Sequence, residues 1–210
     1  MKMYAALTFD DGYLSHLDVA YFLYKLGIRA TFFIITCLKN FEGKPLLTIN
    51  PRYIQLINDM GHEIGSHSCT HARLDKLQAN EIERELIESK RYLENLLGRK
   101  VKGFAYPSGF YNKDVVLMVA RYYDYARLAG KRFEARTWNA VKRIPYMIEG
   151  IGAKELVKLP VKYVLYKNIH PVIVFHDDPI KLVNLVVKTL RSIGAEFVTL
   201  SELVRVMFYE

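Results

Sequence analysis

The sequence predicts an α/β fold of about seven βα units in a single domain, residues 1–210. Three observations carry that reading. Strand-length apolar runs alternate with stretches of helical period, no Gly/Ser/Pro-rich linker interrupts the alternation, and polar residues follow directly on several of the apolar runs. So many units in 210 residues favour a closed or nearly closed barrel, although an open doubly wound sheet would produce the same pattern.

Taken in order, strands are expected at 3–9, 30–35, 63–66, 103–105, 125–128, 172–175 and 196–200. Helices are expected between and after them, at 17–26, 52–60, 81–97, 113–122, 153–166, 181–193 and 201–208. The clearest is 81–97. Asn80 can cap it, Ile82, Leu86, Leu93 and Leu97 share one face, acids crowd its first turns where the helix dipole favours them, and Gly98 can end it ahead of Arg99 and Lys100. In both candidate architectures ligands bind at the carboxyl ends of the strands, so the polar residues just beyond each apolar run are the ones to inspect.

Composition narrows the function classes. At 51% apolar and 25% charged, the chain is neither disordered nor collagen-like. Two cysteines are too few for a disulfide framework; Cys37 follows an apolar run and is expected in the core, Cys69 sits among histidines, and a reducing compartment suits both. No stretch approaches the roughly 20 apolar residues of a membrane-spanning helix, and the apolar residues before Asp10 are too few for a signal peptide, so the expected location is cytoplasmic. The net charge is +8, with Arg127, Lys131, Arg132, Arg136, Lys142 and Arg143 set against Glu134 alone. Such a run is expected to form a solvated basic face, and could meet an anionic partner.

Four places carry candidate chemistry. Thr8-Phe9-Asp10-Asp11-Gly12-Tyr13 ends a strand in two adjacent carboxylates; a cation bound to one would let both stay ionised and free the other to accept a proton. Gly61-His62-Glu63-Ile64-Gly65-Ser66-His67-Ser68-Cys69-Thr70-His71 holds three of the six histidines. On a helical turn His67 and His71, four apart, would face one way and could share a cation, with Asp11 as third ligand and open positions for water. His62-Glu63 lacks the His-Glu-x-x-His spacing of zinc proteases, because Ser66 occupies the fifth place, so His62 is expected to be structural. Cys69 is not expected to ligate. Phe104-Ala105-Tyr106-Pro107-Ser108-Gly109-Phe110-Tyr111-Asn112 breaks a strand into a rigid loop that could aim backbone N–H groups at an oxyanion, with Tyr106, Phe110 and Tyr111 offering faces to a sugar ring. Pro171-Val172-Ile173-Val174-Phe175-His176 delivers a histidine at the end of a buried strand.

In order and spacing these four resemble the motifs of the polysaccharide deacetylases, metal-dependent carbohydrate esterases of the chitooligosaccharide-deacetylase type. The resemblance runs over essentially the whole chain. It implies a distorted (β/α) barrel, with Asp10 as general base, Asp11, His67 and His71 as ligands of a divalent metal, Zn²⁺ by expectation, and His176 as general acid. It further implies an oxyanion contact from a backbone N–H near Ser108 and an N-acylated amino sugar or oligosaccharide as substrate. Two departures stand out. Ala105 occupies a place where many relatives carry an arginine that orients the base, and Arg127 on the next strand is the expected substitute; the family's fourth motif has no clean counterpart, since Trp138 follows Thr137, leaving Asp177 or Asp178 to tune His176. An N-deacetylase is the reading favoured. A deformylase or small-amide hydrolase would use the same residues, and a non-catalytic carbohydrate- or nucleic-acid-binding relative is the rival class, although no DNA or RNA recognition motif is visible. Oligomeric state is not legible in the sequence.

Overall fold

The computed structural model describes residues 2–130, 135–136, 146–154 and 170–209. Its elements are β1 (Met3–Phe9), α1 (His16–Lys25), β2 (Thr31–Ile34), β3 (Asn40–Phe41), β4 (Lys44–Pro45), α2 (Pro51–Asp59), β5 (Glu63–Ser66), α3 (Ala79–Leu97), β6 (Gly103–Ala105), α4 (Lys113–Tyr122), β7 (Tyr125–Gly130), β8 (Ala135–Arg136), β9 (Tyr146–Gly152), β10 (Val172–Phe175), α5 (Ile180–Ser192), β11 (Ala195–Phe197) and α6 (Leu200–Tyr209). Seven parallel strands close into a ring in the order β1-β2-β5-β6-β7-β9-β10, with β10 returning to β1. The closed barrel is therefore the architecture, and the open sheet is excluded.

Strand periodicity builds two layers. Successive side chains point to opposite faces, so Leu7, Phe9, Phe32, Ile34, Ile64, Phe104, Ala126, Ile173 and Phe175 turn outward onto the helices. Phe9 stacks between Phe32 and Phe175, each 4.8 Å away between ring centroids. The alternate residues Ala6, Phe33, Ala105, Tyr125 and Val172 form the lumen cluster with Leu200, Leu203 and Val204 of α6. At the amino-terminal end of the barrel the buried Glu63 carboxylate accepts from Thr31, Tyr125 and Ser201, which locks the start of α6 to three strands.

Several expectations need correction. The seventh barrel strand is β9, over a stretch to which no strand was assigned, whereas the 196–200 run is shifted to β11, which pairs with the first residues of β1 outside the ring. The long helix is capped by Gln78 in a capping box with Glu81, not by Asn80; Gly98 ends it in the left-handed conformation, as expected. Cys37 is exposed and Cys69 buried, and the two are bonded to each other, their Cα atoms 4.8 Å apart; the reading of two reduced cysteines is overturned because the ends of β2 and β5 run side by side. Most of the expected 153–166 helix, Trp138, and Lys131, Arg132, Lys142 and Arg143 of the basic run lie outside the described residues, whereas Arg127 is buried rather than solvated. Among the described residues no helix is long and apolar enough to cross a membrane.

Candidate active site

The lumen faces of the strands continue into the site. Following Ala6 and Thr8, the next inward position on β1 is Asp10; after Gly65 on β5 it is His67; after Tyr125 on β7 it is Arg127; after Val172 and Val174 on β10 it is His176. Asp10, His67 and His176 converge at the carboxyl end of the barrel in a cavity of about 570 Å³, whose lining also includes Asp11, His71 and Ser108, with Arg127 buried behind Asp10.

Asp11 Oδ1 lies 3.4 Å from Nε2 of His67 and 3.4 Å from Nε2 of His71. The ligating atoms of the three residues all fall within 4.8 Å of one another. Two ligands at about 2.1 Å from a tetrahedral cation sit about 3.4 Å apart, so the spacing is that of a metal's ligand shell. Asp11 Oδ1 is also buried without a hydrogen-bond partner, an acceptor that a cation would satisfy. His67 Nδ1 donates to the Ala105 carbonyl at 2.9 Å, which turns Nε2 toward Asp11. Two histidines and one carboxylate suit a divalent cation with open coordination positions.

Charge follows from this packing. Burial raises the Asp11 pKa, but the close approach and charge of His67, with the charges of His176 and His71, outweigh it and hold the carboxyl at about 2. Burial works to lower His67, and its contact with Asp11 together with the charge of Asp10 lifts it above its ordinary value. Burial, then the charge of His67, push His71 down to about 4, so its ring is a neutral donor at neutral pH.

The loops are strained where the site is. Asp11, Ser68, His71 and Ser108, with Glu42 on the cavity rim, are the non-glycine residues at positive φ among those described. The expectation that one helical turn aligns His67 and His71 is therefore replaced by an irregular loop. The buried Glu85 of α3 anchors that loop, accepting from the Cys69 and Thr70 backbone N–H groups at 2.9 and 2.8 Å and from the Thr70 hydroxyl at 2.6 Å. Gly12 completes the preceding turn at φ +75°, where an added Cβ would press on Ile34.

Arg127 Nη2 is paired with Asp10 Oδ1, with the guanidinium over the Phe33 ring. In register Arg127 stands beside Ala105. His176 Nε2 lies 3.9 Å from Asp10 Oδ2, with its side chain 57% exposed to the cavity. Neither expected partner reaches its ring: Asp178 accepts from the His176 backbone N–H at 3.1 Å, and Asp177 pairs with Lys44 and Ser15. The His176 carbonyl is bonded instead by Nε2 of the buried His16 at 2.8 Å.

Two expected sugar platforms fail. Tyr106 lines the cavity but is buried, its ring set edge-on to Phe104 and tilted against Tyr111; Tyr111 lies behind it and does not line the cavity. Phe110 is exposed, with the Arg73 guanidinium over its ring. His62 is structural, bonded through both ring nitrogens to the Ala30 N–H and the Ala20 carbonyl. Sequence reasoning missed Tyr13, Phe41, Glu42 and Lys44, which wall the cavity, and His16. It also missed Glu85, whose signal was present: an acid one turn from Ile82 on the apolar face of the long helix.

Known proteins resemble this chain in sequence and in fold. Residues 2–128 match the family model described as polysaccharide deacetylase. The peptidoglycan-N-acetylglucosamine deacetylase of Bacillus cereus is 25% identical over 210 residues, covering 95% of this chain and 87% of that protein. The protein of the same name from Listeria monocytogenes is 30% identical over 112 residues, 52% of this chain but only 22% of its own length. Two Bacillus subtilis relatives are likewise spanned over 38% and 28% of their lengths. Among solved structures, a family 4 carbohydrate esterase from Streptomyces lividans in complex with acetate superposes with a TM-score of 0.68 at 21% identity, over 93% of this chain and 91% of that one, and shows the fold. The carbohydrate-esterase domain of a multidomain xylanase from the Trinervitermes trinervoides hindgut metagenome superposes at 0.66 with 25% identity, over 99% and 92%.

Proposed function

Because this chain belongs to the polysaccharide deacetylase family, we propose that it is a metal-dependent hydrolase removing the N-acetyl group from an amino sugar or oligosaccharide. The observation that carries the proposal is the convergence of Asp11, His67 and His71 beside a second, arginine-paired carboxylate and an exposed histidine. A divalent cation held by the three, Zn²⁺ in this proposal, supplies Lewis acidity to a water and to the amide carbonyl.

The residues of the chain do the rest. Asp10 accepts the proton of the attacking water, and Arg127, paired with its carboxylate, keeps it aimed. Ser108, held at φ +53° on the cavity wall, presents its backbone N–H toward the developing oxyanion. His176, on the solvent side of Asp10, gives a proton to the departing amine nitrogen. The products are acetate and a free amino sugar. The N-acetylglucosamine chemistry named for the Bacillus cereus and Listeria proteins supports this choice of acyl group.

The test is acetate release from N-acetylglucosamine oligosaccharides by the metal-loaded protein, with N-formyl analogues alongside. Turnover abolished by a chelator and restored by Zn²⁺ is expected. A preference for formyl substrates would move the assignment to a deformylase. Stoichiometric metal with no acid released from any substrate would leave a binding protein.

A further inference from the structure

Apart from the catalytic cavity, one set of ligating side chains among the described residues has no part in the proposed reaction. Cys37 follows β2, Cys69 lies in the loop between His67 and His71, and Glu88 projects from α3; their ligating atoms fall within 4.8 Å of one another. We propose that these three residues form a second metal site, for a thiophilic divalent cation such as Zn²⁺ or Cd²⁺, which the disulfide closes and a dithiol reductant opens.

The backbone holds the two sulfur-bearing residues together without help from the sulfur bond. Cys37 N–H donates to the Cys69 carbonyl at 2.8 Å and Thr36 N–H to the Ser68 carbonyl at 3.3 Å, extending the β2–β5 pairing beyond the strands. Glu85 ties the Cys69 N–H to α3, the helix that also carries Glu88 one turn further on. All three ligands thus stand on fixed supports, so reduction leaves the sulfurs as neighbours. Cys69 Sγ is 3.5 Å from Glu88 Oε2. Across a tetrahedral Zn²⁺, a sulfur at about 2.3 Å and an oxygen at about 2.0 Å are about 3.5 Å apart, so the existing spacing already matches. Two thiolates make the set soft, which selects Zn²⁺ or Cd²⁺ over Mg²⁺ or Ca²⁺ and distinguishes it from the Asp11/His67/His71 site.

The step balances. A dithiol transfers two electrons and two protons to the Cys37–Cys69 bond and becomes a cyclic disulfide; the cation then forms two metal–sulfur bonds as both thiol protons pass to solvent, and the Glu88 carboxylate supplies the third ligand. Under reducing conditions a sulfur–metal–sulfur link would replace the covalent one. Either link ties the end of β2 to the loop that carries His67 and His71.

Cd²⁺ titration tests this on the whole protein, oxidised and after reduction with a dithiol removed anaerobically. The reduced protein is expected to bind one more equivalent than the oxidised protein and to show the ultraviolet sulfur-to-cadmium charge-transfer band. Reduced Cys37→Ser should lose both. Glu88→Gln, which leaves both sulfurs in place, should weaken the extra equivalent by at least about tenfold. Absence of the band in reduced wild type, its persistence in Cys37→Ser, or unchanged affinity in Glu88→Gln would each overturn the site. None of these readouts depends on deacetylation.

Discussion

Asp10 and Arg127 stand 117 positions apart in the chain and form one buried ion pair, 2% and 1% exposed, at the floor of the cavity. Arg127 stands in register with Ala105 on the neighbouring strand, so at this level of the barrel β7 supplies the guanidinium that β6 lacks. The guanidinium paired with Asp10 comes from β7.

Arg127→Ala should therefore lower kcat by about 100-fold or more, while KM changes little. It should also cost about 3–5 kcal/mol of stability, because an unpaired buried carboxylate is left behind. Adding Ala105→Arg to that variant should recover a measurable part of kcat. Steady-state kinetics beside denaturant unfolding separates the two effects; unchanged turnover in Arg127→Ala would remove the positioning role.

Removal of a ligand should be read first as metal loss. Asp11→Asn, His67→Ala and His71→Ala are each expected to reduce bound divalent metal well below stoichiometry, measured by elemental analysis, and to abolish acetate release. In wild type, saturating Zn²⁺ should raise the thermal midpoint, since a ligand at 100 times its Kd contributes about 2.7 kcal/mol. A chelated protein as stable as the loaded one would contradict the site.

His16 donates to the carbonyl of His176 from within an aromatic cage of Phe9, Tyr13 and Phe32. His16→Phe keeps the packing and removes the donor, so kcat should fall about tenfold with little change in KM. In a His176→Ala background the same substitution should have no further effect. Additive losses in the double variant would show that His16 acts elsewhere.

Burial lowers the pKa of His62 below its ordinary value, with the Ala20 carbonyl opposing the shift only in part. The unfolded chain binds this proton near pH 6.5 and the folded chain only at lower pH, so the contribution to stability is full above about 6.5 and drains away as pH falls toward the folded pKa. Denaturant midpoints measured from pH 8 to 5 should decline, and less steeply in His62→Asn. Parallel profiles for the two proteins would rule out this linkage.

Much of the site was legible in one dimension because strands alternate. Asp10, His67, Arg127 and His176 each extend an inward-facing row, and a polar residue just past an apolar run marks the carboxyl end of its strand. The loop conformations were not legible: His67 and His71 meet Asp11 through left-handed turns at Ser68 and His71, not through a helical turn. No local pattern announces a backbone that the surrounding structure must hold in a sparsely populated region.

The sequence alone determined the alternation of strands and helices, the residues able to bind metal or move protons, and the family, because residue type and short-range periodicity carry that information. Closure of the ring by β9, the pairing of Arg127 with Asp10, the burial of Tyr106, and the pairing of Cys37 with Cys69 were decided only in three dimensions. Each depends on which strands become neighbours. That is set by packing of the whole barrel, and no segment encodes it by itself.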